Sequence, residues 1–143
     1  MKVAILLPYK ENFSKYSAGA VSIFVNDTNN LSKFKNYIKV FGSTSSNSNL
    51  NNYTNIELKK NILTSTSSQY LKNFTRIILN ERIEILEIHN RPHYINNLDK
   101  ILDCKKVLYF HNDPLKMQGS ISIKDRINLL KKTDKIIFNS YWS

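Results

Sequence analysis

A length of 143 residues suits one domain, and 41% hydrophobic against 22% charged residues is globular composition that excludes a disordered chain. The single cysteine, Cys104, excludes an internal disulfide and offers no metal-ligand spacing. With 21 Lys and Arg against 11 Asp and Glu, the net charge of +10 favours an anionic partner: nucleic acid, a phosphorylated or acidic substrate, or an anionic membrane face.

The first predicted element is a buried strand, Val3 to Leu7, ended by Pro8, which cannot donate to a sheet ladder. This aliphatic run is too short for a signal peptide and lacks a small-residue cleavage site. Val21, Phe24, Val25, Thr28 and Leu31 recur at helical spacing and predict a first helix. A second strand, Tyr37 to Phe41, closes at Gly42. Residues 43 to 55, nearly all Ser and Asn, read as a mobile loop. A short third strand follows at Ile56 to Leu58. Tyr70, Leu71, Phe74, Ile77 and Ile78 form the stripe of a second helix, with Ser67 or Ser68 as its N-cap.

The alternation then repeats. Strand four is expected at Ile83 to Ile88, a helix at Tyr94 to Leu102 and strand five at Val107 to Phe110. Ile123, Ile127 and Leu130 line a further helix, and Ile136 to Phe138 form strand six. Six strands joined by crossovers predict a single α/β domain: a Rossmann-like, doubly wound, mainly parallel sheet. In the common order 3-2-1-4-5-6, ligands bind outside the carboxyl ends of the strands, beside the loops after strands one, four and five.

Strands four and five end alike. Glu87-Ile88-His89-Asn90-Arg91-Pro92 and Tyr109-Phe110-His111-Asn112-Asp113-Pro114 share the pattern apolar-His-Asn-x-Pro. Each places a histidine at the carboxyl end of a parallel strand, where an imidazole can bond a hydroxyl or phosphate oxygen or exchange a proton. A single such histidine is most simply a loop-fixing residue; two matched ones at the ligand edge point to a shared site. A metal is not expected, since only Asp113 could be a third ligand there, and His93 reads as a surface residue. The loop Ser14-Lys15-Tyr16-Ser17-Ala18-Gly19-Ala20 puts Gly19 at the opening of a helix, where backbone N–H groups and the helix dipole favour an anion. Gly19 could equally be a turn residue. Neither G-x-G-x-x-G nor G-x-x-x-x-G-K-[ST] occurs, so no dinucleotide cofactor or P-loop is expected. Cys104 lies on a turn before strand five, at the opposite edge from the crevice, and reads as structural although Lys105 and Lys106 could lower its pKa. No pair of carboxylates marks a two-acid hydrolase.

Strand one ending in proline, the Gly19 loop, the strand-end histidines His89 and His111, and the closing Ile136-Ile137-Phe138-Asn139-Ser140-Tyr141-Trp142-Ser143 together resemble glycosyltransferase family 4. The resemblance covers essentially the whole chain, through short motifs, and implies the amino-terminal, acceptor-side half of a GT-B fold. It departs from the family pattern where Ala18-Gly19 stands in place of two adjacent glycines, and the family's donor-binding half with its glutamate pair is not in the sequence. What it implies is sugar transfer from a nucleotide sugar to a glycan or lipid-linked acceptor, without a cofactor, with retention of stereochemistry. It further implies that His111 contacts the acceptor or reacting sugar, that His89 supports it beside Asn112 and Asp113, and that Ala18 and Gly19 face the donor diphosphate.

Two other readings stay open: a binding domain for a sugar or phosphorylated ligand that performs no chemistry, and a basic nucleic-acid binder. The lysines are scattered over every element without an RNA-binding signature, so no nucleic acid is expected. A cytoplasmic protein is the expectation, with peripheral contact at an anionic membrane face. The final predicted helix is expected to bury Ile123, Ile127 and Leu130, to expose Lys124, Lys131 and Lys132, and to bind anionic vesicles weakly without insertion.

Overall fold

The computed structural model of the chain describes residues 1–14, 17–44, 52–59, 65–99 and 101–139. Six strands form one sheet: β1 (Val3–Leu6), β2 (Ile38–Gly42), β3 (Tyr53–Asn55), β4 (Ile85–His89), β5 (Lys105–Phe110) and β6 (Lys135–Phe138). Their order is β3-β2-β1-β4-β5-β6, and every neighbouring pair is parallel. Among the described residues four α-helices accompany them: α1 (Ala20–Leu31), α2 (Thr66–Ile78), α3 (Pro92–Leu98) and α4 (Ile123–Lys132). This is a Rossmann-like α/β domain, with β1 and β4 side by side where the strand order reverses.

Crossover handedness distributes the helices. Right-handed crossovers running from β1 towards β3 lie on one face of the sheet, and those running back from β3 through β4 to β6 lie on the other. Thus, among the described residues, α1 is the helix that covers one face, where Val21 and Val25 pack with Phe13 on Ile5, Leu7 and Val40. On the other face α2, α3 and α4 cover Ala4, Leu6, Phe41, Leu86, Ile88, Leu108 and Phe110. Alternate residues of each strand enter opposite cores because strand side chains alternate. Tyr70 of α2 ties the layers together: its hydroxyl donates to the Leu7 carbonyl at 2.8 Å, at the end of β1. Burial holds that phenol well above its usual pKa.

Several element bounds differ from the sequence expectation, each for a local reason. The third strand lies at Tyr53–Asn55, inside the expected loop, because it pairs with the end of β2 from Val40 to Gly42. Tyr53 is anchored there by stacking on Phe13 at 5.0 Å and by a hydroxyl contact with Thr44 Oγ1 at 2.7 Å. Residues 45–51 of that expected loop lie outside the described residues. The N-cap of α2 is Ser65, whose hydroxyl accepts from Ser68 N–H. Helix α3 starts at Pro92, where a proline's missing N–H costs nothing, and ends at Leu98.

The largest correction concerns α4. Its expected buried stripe points outward: Ile123, Ile127 and Leu130 are 69%, 49% and 67% exposed. Leu129, 2% exposed, is the residue that enters the core. Polar contacts from the same side decide the rotation, since Asn128 Nδ2 and Lys132 Nζ both donate to Asn96 Oδ1 of α3, at 2.7 and 3.0 Å. Ser122 and Asp125 close a capping box that fixes where the helix begins.

Candidate functional site

Glu87 and His89 sit two residues apart on β4, so their side chains leave the same face of the sheet. That face is the one shared with α1. His111 follows β5 directly, and the parallel register sets His89 opposite Tyr109. The strand pairing therefore brings the two histidines together at the carboxyl edge of adjacent strands. His89 Nδ1 lies 2.7 Å from His111 Nε2, and His89 Nε2 lies 2.7 Å from Glu87 Oε1. Carboxylate, imidazole and imidazole form a continuous hydrogen-bonded wire.

The wire has a direction. An ionised Glu87 only accepts, so His89 Nε2 carries the proton between them. When the His89 ring carries one proton, on Nε2, its Nδ1 accepts from His111 Nε2, and the His111 Nδ1 lone pair is left for a ligand. No hydrogen bond is made to His111 Nδ1 among the described residues. Burial, followed by the neighbouring His89, lowers the His111 pKa to about 4 despite the attraction of Glu87. His111 is therefore a neutral base at physiological pH. His89 has no exposed surface. Its place is behind His111 as a support, and it cannot itself touch a ligand.

Aromatic rings hold the wire in place. The Tyr109 ring stacks beside both imidazoles, at 5.3 Å from His89 and 4.6 Å from His111. Phe24 of α1 meets His111 edge-on at 4.9 Å. Asn90 latches the two strand ends: its Oδ1 accepts from His111 N–H at 2.8 Å, and its own N–H donates to the Tyr109 carbonyl. It does so with φ at +52°, a left-handed conformation that asparagine tolerates better than most residues. The matched asparagine of the second motif, Asn112, is exposed instead. Asp113 has a structural duty, since its carboxylate caps the short 3₁₀ turn Pro114–Lys116 by accepting from Leu115 N–H at 2.9 Å.

The start of α1 is occupied by the protein's own carboxylate. Glu11 Oε1 accepts from Ser22 N–H at 3.1 Å, and a Cβ on Gly19 would lie 2.1 Å from that oxygen. Glycine at position 19 is thus what lets Glu11 reach the helix end. Ala18 lines a neighbouring cavity of about 250 Å³ with Phe13, Ser14 and Asp27. Phe24 comes five residues after Gly19, about 7.5 Å along the helix axis, so α1 links this end to His111.

The remaining candidates fall away from the site. His93 is half-buried, packed edge-on against Tyr94 at 4.7 Å, and burial lowers its pKa. Cys104 packs against the core, and burial pushes its thiol up, outweighing the pull of Lys106. Among the described residues no cluster of three His, Cys, Asp or Glu could hold a metal ion. No described helix is long and apolar enough to cross a membrane. Residues 140–143, part of the motif that carries the family resemblance, lie outside the described residues.

Sequence reading missed Glu87, although it stands inside the quoted motif. Strand alternation alone places it on the face of His89, and that is the signal that could have found it. Phe24, Tyr109 and Asn90 had no such signal, because their roles depend on which strands pair. The fold and site define a class: a Rossmann-like α/β domain with a carboxylate–histidine–histidine wire at the ligand edge of its sheet. No protein-family model matches the chain, and no curated protein matches it significantly.

Proposed function

We propose that this domain is the acceptor-side half of a glycosyltransferase, with His111 receiving the proton of the acceptor hydroxyl. The observation that carries the reading is the Glu87–His89–His111 wire at the carboxyl ends of β4 and β5. A sugar hydroxyl is neutral and needs a neutral base beside it, which a histidine of pKa about 4 supplies at pH 7. As the acceptor oxygen bonds to the anomeric carbon of the donor sugar, the nucleoside diphosphate leaves. The acceptor proton passes to His111 Nδ1. The Glu87 charge beyond His89 offsets part of the burial cost of the imidazolium that results.

In this reading the nucleotide sugar is held mainly by a second domain, and the acceptor is a glycan or a lipid-linked sugar. Ala18 and Gly19 face the donor diphosphate, which must displace Glu11 from the α1 terminus to bind there. Glu11→Ala is accordingly expected to bind inorganic diphosphate about tenfold more tightly than the unsubstituted chain, because one negative charge leaves the site. Calorimetry measures the difference, and equal affinities would remove the diphosphate from this helix end.

The acceptor half of the reading is tested on the 143-residue chain by recording imidazole resonances during titration with a panel of oligosaccharides and lipid-linked sugar analogues. At least one acceptor is expected to shift the His111 signals, with the shift lost in His111→Gln. No sugar transfer by these 143 residues alone is expected. A panel that leaves His111 unmoved would overturn the assignment, and donor-specific product from the chain alone would overturn the division into two halves.

A further inference from the structure

We propose that the outward face of α4 is a docking surface for an anionic lipid bilayer. The sequence pattern alone predicts that Ile123, Ile127 and Leu130 enter the core, yet all three are exposed while Leu129 does the packing. Ile121, just before the helix, is also 59% exposed. Four aliphatic side chains thus stand in water along one short element, where scattered single ones would be ordinary.

The arrangement of charge says what covers them. At about 100° per residue, Ile123, Ile127 and Leu130 occupy one narrow stripe of the helix surface. Lys124 and Lys131 flank it on one side, both exposed, and Arg126 flanks it on the other. Asp125, the only acid of the helix, lies towards the opposite side and is held by the Ser122 cap. An aliphatic stripe between cationic borders is the pattern of a helix lying in the headgroup region, with lysine stems reaching along the apolar surface to anionic phosphates.

A protein partner fits less well. Centres of protein interfaces are rich in aromatic residues, whereas this stripe has none and is bordered by Lys124 and Lys131. A second copy would bring the same lysines against each other on a chain already carrying +10. The helix has only ten residues, so it lies on the surface and does not span.

The inference is independent of the chemistry at His111, since vesicle binding is read without turnover. Flotation of the purified 143-residue protein with phosphatidylcholine vesicles, with and without phosphatidylglycerol, tests it. Binding to the phosphatidylglycerol vesicles alone is expected, weakened by salt. Ile127→Asp/Leu130→Asp should reduce it by about tenfold or more, and Lys124→Glu/Lys131→Glu by a similar factor. All four positions are exposed or flank the stripe, so an unchanged circular dichroism spectrum confirms that these variants fold. Leu31→Asp on α1, at a residue 88% exposed, should bind like the unsubstituted chain. Equal binding to neutral and anionic vesicles, binding to neither, or full binding by the α4 variants would each overturn the proposal. So would self-association abolished by Ile127→Asp/Leu130→Asp in a chain that ignores vesicles, which assigns the stripe to a second copy.

Discussion

The His111 imidazole is expected to titrate near pH 4 in the folded chain, far below the value of about 6.5 for a histidine in water. Loss of hydration is the largest cause, the neighbouring His89 adds to it, and Glu87 opposes both. Carbon or nitrogen resonances of the ring, followed from pH 8 downward, measure it directly. Glu87→Gln removes the one opposing charge and should lower the midpoint further. A midpoint near 6.5 would mean that the ring is solvated and the wire is not formed. The shift also makes stability depend on pH. Above about pH 6.5 the histidine is neutral in folded and unfolded chains alike, and the packing of the neutral ring contributes fully. As pH falls from there towards 4, the unfolded chain takes up a proton that the folded chain refuses, so stability declines. Allowing for the solvent that reaches the half-buried ring, the loss is about 1–2 kcal/mol. His111→Gln should flatten that slope in denaturant melts across the same range.

Gly119→Ala is expected to destabilise the fold by about 2–3 kcal/mol and to lower the melting midpoint by about 5–10 °C. Gly119 has φ at +92°, a conformation that side chains resist. A Cβ there would lie 2.7 Å from His93 N and 2.9 Å from its Cα, both backbone atoms of α3 that cannot move aside. Position 19 offers a contrast: there the obstruction is the far end of the flexible Glu11 side chain. Gly19→Ala is therefore the milder change. The Gly119 segment also carries Ser120, which is buried and donates to the Pro114 carbonyl, so the substitution loosens the chain that leaves β5 beside His111. Thermal unfolding by circular dichroism gives the comparison, and a midpoint unchanged in Gly119→Ala would show that the loop relaxes without cost.

Helix α4 marks where linear pattern stops being informative. Helical periodicity correctly predicted a helix at α4 but chose its buried face by counting apolar residues. That criterion assumes a core on the apolar side. Here α4 lies at the edge of its layer beside the short edge strand β6, and Asn128 and Lys132 find Asn96 and Leu129 finds the core while Ile123, Ile127 and Leu130 stay exposed. For β3 the apolar Ile56 marked burial correctly, since it is completely buried, but it lies just past the strand that pairs with β2.

Linear pattern was enough for the class of fold. Uninterrupted aliphatic runs need cover on both faces, and helical stripes between them supply it, so a parallel doubly wound sheet follows from composition and spacing alone. It also placed His89 and His111 at strand ends, because both follow apolar runs directly and precede a proline by three residues, while the sheet order made those strands neighbours. Packing in three dimensions is what brings the two imidazoles to 2.7 Å with Glu87 behind them and seats Glu11 at the start of α1. The physical reason is that hydrogen bonds require positions to within a fraction of an ångström. Strand register and twist set those positions through pairings between residues far apart in the chain, and local periodicity carries no record of them.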